Sequence, residues 1–110
     1  MSKIIIENYA TNTGKEPFEE WLITLDKPVR AIVRTRLNRL LIENFGDCKL
    51  IKGSRSLWEL RINFGAGYRV YFGKQGYHLV ILLVGGDKGS QSRDIHKATK
   101  YWLDYKKERL

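Results

Sequence analysis

The hydrophobic period of this sequence changes near residue 57, and that change limits the possible folds more than any other feature. In residues 18–25 and 29–41, apolar side chains recur every three or four positions, which indicates two consecutive amphipathic helices. In residues 58–64 and 68–72, apolar and polar side chains alternate instead, as in half-buried strands, and the glycine-containing segment 65–67 turns the chain between them. We therefore expect an α+β domain in which helices pack on a twisted, mostly antiparallel sheet.

These patterns predict the element order β-α-α-β-β-β-α. The run 78–84 is apolar at nearly every position and suits a strand that is covered on both faces. Asp26 is expected to cap the second helix, Ser90 or Ser92 is expected to cap the last one, and a second turn is expected at 73–76. The predicted elements are a strand from Lys3 to about Tyr9, helices beginning at Pro17 and after Asp26 (the latter ending at Gly46), strands at 58–64, 68–72 and 78–84, and a helix from about Gln91.

The 110 residues are predicted to form a single domain, 1–110, without a metal ion or other cofactor. Cys48 is the only cysteine, so a disulfide within the chain is impossible, and two histidines are too few for a zinc cluster. The longest apolar run, 79–84, is far shorter than the roughly 20 residues that a membrane-spanning helix requires. Charged residues also interrupt the N-terminus before a signal peptide could form. We expect no membrane contact and a cytoplasmic location.

The charge of the chain is positive and unevenly distributed. Twenty Lys and Arg residues stand against twelve Asp and Glu, which gives a net charge of +8. Residues 1–26 contain two basic and five acidic side chains, so the positive charge is concentrated in the rest of the chain. Because positive potential attracts phosphates, this asymmetry favours a polyanionic partner such as nucleic acid or the ribosome. Solvated helix faces that keep the protein soluble are the alternative explanation.

Two segments, LWELRINFGAGYRVYF at 57–72 and LLVGGDKGSQ at 82–91, followed by Asp94 and Ile95, resemble the addiction-module killer proteins. These are phage-derived, HigB-like members of the RelE/ParE toxin superfamily, and the resemblance covers nearly the whole chain. It implies a compact RelE/ParE-like toxin that is inhibited by a cognate antitoxin, here expected to be a helix-turn-helix protein. Many relatives cleave messenger RNA in the ribosomal A site, whereas ParE-type members keep the fold and inhibit DNA gyrase.

Four residues are candidates for catalysis. Metal-free RNA cleavage needs a base for the 2′-hydroxyl, cations for the phosphorane and an acid for the leaving oxygen. The resemblance places Arg69 at the position of the superfamily's sheet arginine, and Arg61, on the polar side of its strand, is a second phosphate contact. The alternative explanation for both is an exposed sheet arginine that pairs with Glu59 or another carboxylate. In the glycine-rich loop 85–91, Lys88 adds a mobile cation beside a helix N-terminus. Asp87 is interpreted either as a base or as a residue that holds this loop.

Five further residues are candidates for binding nucleic acid. Arg30 and Arg34 lie off the apolar stripe of the second helix, where a solvated helix face is the alternative explanation. Tyr71 shares a strand face with Arg69, so it is either a base-stacking residue or an ordinary strand aromatic. Gln91 and Arg93 lie at the start of the last helix, where backbone N–H groups favour an anion.

The leading functional hypothesis is a ribosome-dependent endoribonuclease that cleaves messenger RNA and inhibits translation, with the ribosome, messenger RNA and an antitoxin as partners. RelE-type enzymes often carry two strand lysines and a helix tyrosine, whereas this chain has Glu59 and Arg61 on the strand and no tyrosine between Tyr77 and Tyr101. The sequence therefore leaves the proton donor and acceptor open. A ParE-like gyrase inhibitor without nuclease activity and a non-catalytic nucleic-acid-binding module remain as alternatives.

Overall fold

The computed structural model describes residues 3–109 and shows an α+β domain with one five-stranded mixed sheet. The predicted class is confirmed, and the elements follow the predicted sequence with one strand added. In chain order they are β1 (Ile5–Asn8), α1 (Pro17–Leu22), α2 (Lys27–Leu40), β2 (Cys48–Leu50), β3 (Leu57–Ile62), β4 (Tyr68–Gln75), β5 (Leu79–Asp87), a 3₁₀ turn (Lys88–Ser90) and α3 (Gln91–Arg109).

The strands lie in the order β1-β5-β4-β3-β2. Three of the four pairings are antiparallel, as predicted, and β1 runs parallel to β5. The unpredicted strand, β2, has three residues, and its Lys49 and Leu50 are exposed. So short a strand on the sheet edge has no buried face, and it therefore leaves no alternating pattern in the sequence.

Helices cover both faces of the sheet. Leu60 and Phe72 point to the side on which α1 and α2 pack, called here the α1/α2 face. Leu57 and Tyr71 point to the opposite side, called the α3 face, where they meet Trp102 of α3. Because side chains alternate across a strand, residues 59, 61 and 69 also belong to the α3 face.

Gly73 shows why one predicted turn is wrong. β4 continues to Gln75, so the turn begins at Gly76, and Gly73 lies within the strand. A Cβ atom at Gly73 would overlap the indole ring of Trp102. The glycine therefore allows α3 to pack closely against β4, which is a tertiary requirement rather than a turn signal.

The second helix differs from its prediction at both ends. Asp26 occupies the N-cap position, but its side chain forms no cap hydrogen bond within the described part of the chain. The helix ends at Leu40, six residues before Gly46, and Glu43 adopts a left-handed backbone with φ of 62°. The chain reverses here to enter β2, so Leu41 is left exposed although it continues the apolar stripe. Within residues 3–109, no helix is long and apolar enough to span a membrane.

Candidate functional site

Arg61 and Arg69 are directly opposite each other on the α3 face. They are register partners on β3 and β4, so their Cβ atoms are expected to be roughly 5 Å apart. Like charges directly opposite each other destabilise a sheet. The sequence predicted that both arginines lie on one face, and the structure adds that they are immediate neighbours.

Arg69 is buried without full hydrogen bonding. Its side chain is only 10% exposed, and its Nε lies 3.8 Å from Oε2 of Glu59, which is an ion pair too long for a hydrogen bond. Both Nε and Nη1 are buried and have no hydrogen-bond partner among residues 3–109. Because an unpaired buried donor costs roughly 1–3 kcal/mol, this arginine is unfavourable for folding as it stands. Groups of this kind are often retained for binding or chemistry.

Glu59 connects Arg69 to two neutral donors. Its Oε2 accepts a hydrogen bond of 3.0 Å from the Tyr71 hydroxyl and one of 2.7 Å from Nε2 of Gln91. Burial first, and then the charge of Glu59, raise the pKa of Tyr71 above its ordinary value, so Tyr71 stays a neutral donor. Tyr71 is completely buried. It cannot stack on a base in this conformation, so its predicted role in nucleic-acid binding is not supported.

A second buried carboxylate, Asp94, lies at the start of α3. Gly86 is the register partner of Arg69 on β5, and a Cβ atom at Gly86 would overlap the Asp94 carboxylate. The Ser90 hydroxyl donates a hydrogen bond to Asp94 Oδ2. The first turn of α3 is thus fixed directly onto the strand beside Arg69.

Arg61 is more accessible than Arg69 and forms an ion pair with Asp47. Its Nη2 and Nε donate hydrogen bonds of 2.8 Å and 3.1 Å to Oδ1 of Asp47, which precedes β2. Both side chains are more than a third exposed. Such an exposed ion pair contributes at most about 1 kcal/mol to stability. An anion that displaced the Asp47 carboxylate from Arg61 would therefore cost the protein little free energy.

Asp87 and Lys88, in the loop after β5, lie beside different parts of the protein. Asp87 caps the 3₁₀ turn, because its Oδ1 accepts a 3.0 Å hydrogen bond from the Ser90 backbone N–H. It lines a groove of about 500 Å³ between α1, the end of β5 and α3. Lys88 instead lies beside the β3–β4 turn, where its backbone N–H donates to the Gly67 carbonyl oxygen at 3.0 Å. Asp87 therefore holds the loop, and the hydroxyl of Ser90, one of the predicted helix caps, donates a hydrogen bond to Asp94 in the first turn of α3.

The remaining nucleic-acid-binding candidates do not join Arg69. Arg30 and Arg34 belong to α2, which packs against the α1/α2 face, and Arg34 lies 3.5 Å from Glu19 in an exposed ion pair. Arg93 lines the groove between α1 and α3. Arg30 and Arg34 therefore lie on the opposite side of the sheet from Arg69, because α2 and α3 cover opposite faces.

The sequence pointed to Glu59 only as a carboxylate that could pair with a sheet arginine, and it did not point to Asp47. The pairing of Glu59 could be anticipated because it alternates with Arg61 and must share its face. Asp47 left no signal, because it contacts Arg61 only through the pairing of β2 with β3. Within residues 3–109, no three His, Cys, Asp or Glu side chains are grouped so as to hold a metal ion.

The protein is thus a basic α+β domain that carries a pair of adjacent arginines on one face of its sheet. An uncharacterized protein from Haemophilus influenzae (strain ATCC 51907 / DSM 11121 / KW20 / Rd) is 45% identical to this chain over 82 residues, which cover 74% of this chain and 81% of the relative. The chain belongs to the same family as that protein. No protein-family model matches it.

Proposed function

We propose that this protein is the toxin of a type II toxin-antitoxin system and acts as a ribosome-dependent endoribonuclease of the RelE/ParE superfamily. The sequence resemblance to HigB-like toxins supports this proposal. The structural observation that carries it is the pair Arg61 and Arg69, whose like charges are adjacent and whose inner member has two nitrogen atoms without a hydrogen bond among residues 3–109. Such a pair is unfavourable for folding and well suited to a phosphate group. The expected partner is an antitoxin encoded beside it.

In this proposal the arginines stabilise charge on the RNA phosphate. Its buried position and the Glu59 contact restrict the Arg69 side chain. The guanidinium is therefore already oriented, and little conformational entropy would be lost when the transition state forms. Arg61 exchanges the Asp47 carboxylate for a phosphate oxygen, and exposed Lys88 supplies a third, mobile cation. The chemistry needs no metal ion, because the 2′-hydroxyl of the RNA is the nucleophile.

A second candidate function is favoured by the burial of the groups that could transfer protons. Tyr71, Glu59 and Asp94 are each less than 5% exposed, and Asp87 faces the groove rather than the arginines. A site that binds an anion without transferring protons fits a ParE-like inhibitor of DNA gyrase.

Cell-free translation with mapping of transcript ends tests the first function. We expect new messenger RNA ends within codons, and a loss of at least about 100-fold in cleavage for Arg69→Ala, because one charge-stabilising donor contributes this much in other enzymes. Arg61→Ala and Lys88→Ala test the same site at more exposed positions, where folding is less affected. Arg30→Ala, on the other side of the sheet, is the matched control and should keep full activity.

Two results would refute this assignment. Cleavage that persists in the double variant Arg69→Ala, Lys88→Ala, with folding verified by circular dichroism, excludes the proposed site. Inhibition of purified gyrase in a supercoiling assay, without any RNA cleavage, establishes the second function instead.

A further inference from the structure

A basic groove lies on the α1/α2 face, at the end of β3 that carries Arg61. It has a volume of about 430 Å³ and runs between α2 and the residues that follow β3. Phe64 forms one wall and is 45% exposed, although it is a large apolar side chain. Arg36 and Arg39 form part of the opposite wall.

The charge of this groove differs from that of the other grooves on the protein. Among residues 3–109, the side chains that line it include two arginines and no carboxylate. The groove between α1 and α3 has three carboxylates against two cations, and the groove beside β1 has Glu19 against Arg34. The Phe64 groove therefore combines positive charge with an exposed aromatic ring.

Arg36 links this groove to the arginine pair. Its Nη1 donates a 3.2 Å hydrogen bond to the backbone carbonyl of Arg61. Its guanidinium also lies against Gly46, where an added Cβ atom would be 2.8 Å from Nη2. The side chain is thus held in place before any ligand arrives. Phe64 follows Arg61 by three residues, so their backbones are separated by at most about 10 Å.

We infer that the groove formed by Phe64, Arg36 and Arg39 binds single-stranded RNA, one base stacking on the Phe64 ring while the arginines contact adjacent phosphates. Exposed aromatic rings beside cations are typical of single-strand binding, because every base has a face that can stack. This inference rests on the proposed function, since the bound strand would continue around the end of β3 to Arg61 and Arg69. The groove would then hold the nucleotides next to the reacting phosphate.

A direct binding measurement tests the groove separately from cleavage. The probe is a fluorescein-labelled octanucleotide of 2′-O-methyl uridine, which lacks the nucleophile and is not cleaved by the proposed reaction. Fluorescence anisotropy titrations with the full-length protein should show that Phe64→Ala weakens binding by about 5- to 100-fold, as expected for the loss of one stacked base. Phe64→Leu should weaken it similarly, because leucine keeps the apolar contact but cannot stack.

Matched controls are available on the same protein. Tyr77→Ala removes an aromatic ring that is 81% exposed in the β4–β5 turn, and it should change the affinity by less than about twofold. Arg39→Ala should lower the slope of log affinity against log salt by about one, whereas Lys100→Ala, on the exposed side of α3, should not.

The outcomes distinguish this inference from the proposed function. If wild-type protein fails to bind the RNA, or if Phe64→Ala binds as Tyr77→Ala does, the groove is not an RNA subsite and a protein partner becomes its expected occupant. If the Phe64 variants lose binding but no transcript is cleaved during translation, the RNA subsite stands and the nuclease proposal fails. If transcripts are cleaved and Phe64→Ala binds normally, the nuclease proposal stands and this inference fails.

Discussion

Replacing Tyr71 with phenylalanine measures how strongly the buried network around Arg69 depends on each of its hydrogen bonds. The substitution removes one oxygen atom and keeps the aromatic ring, which is completely buried against α3. Glu59 then loses its 3.0 Å hydrogen bond from the hydroxyl and keeps the one from Gln91. Water cannot replace the lost donor, because Glu59 is only 3% exposed.

The expected cost follows from the charge and burial of the acceptor. A hydrogen bond to a charged group contributes about 1.5–3 kcal/mol, and this range applies when the acceptor stays buried. Tyr9 provides a matched comparison, since its hydroxyl donates a 2.5 Å hydrogen bond to Asp104, whose side chain is exposed. Water can solvate Asp104 after Tyr9→Phe, so that variant should lose only about 0.5–1 kcal/mol.

Equilibrium unfolding in urea at pH 7, followed by tryptophan fluorescence, measures both free energies of unfolding. We expect Tyr71→Phe to be the less stable variant by at least about 0.5 kcal/mol, with an unchanged dependence on urea concentration. Equal losses in the two variants would contradict the reasoning, because burial of the carboxylate would then have no effect on the hydrogen bond. A coupling energy near zero between Tyr71→Phe and Glu59→Gln would contradict it as well.

Three other predictions concern the core, a thiol and the arginine pair. Gly73→Ala should destabilise the protein by about 1–3 kcal/mol in the same urea assay, since the new methyl group overlaps the Trp102 ring, and it should cost less when it is made in a Trp102→Leu background. Burial raises the pKa of the Cys48 thiol to about 11, so its protonated form stabilises the fold below about pH 9 and this contribution is lost as the pH rises through 11. The stability difference between wild type and Cys48→Ala should therefore shift in favour of the variant over this pH range. Asp47→Asn should tighten binding of the octanucleotide by up to about fivefold, because it frees Arg61 from its exposed ion pair, and weaker binding would contradict the phosphate role of Arg61.

The alternation of side chains along β3 and β4 was enough to predict the face on which Arg61 and Arg69 lie. This inference succeeds because the two-residue period belongs to the strand itself and needs no knowledge of its neighbours. The turn at 65–67 was also predicted from local sequence, because glycine readily adopts the positive φ values that turns require. Gly65 and Gly67 both have positive φ values in the structure.

Predictions that depended on partners from distant segments were less successful. The sequence grouped Asp87 with the arginines, but its carboxylate caps the following turn and faces the groove between α1 and α3. It left Arg30 and Arg34 open between a nucleic-acid contact and a solvated helix face, and the structure puts them, with α2, on the other side of the sheet. Linear order does not show which face of a sheet a helix covers.

By itself, then, the sequence determined the fold class, the positive charge and the common face of Arg61 and Arg69, because each follows from composition or from local periodicity. Only the tertiary structure decided that Arg69 is buried, that the Tyr71 hydroxyl donates a hydrogen bond to Glu59 and that Arg61 forms an ion pair with Asp47. Those properties arise where β2, β4 and α3 meet β3, and contacts between segments so far apart in the chain are set by strand register and helix packing.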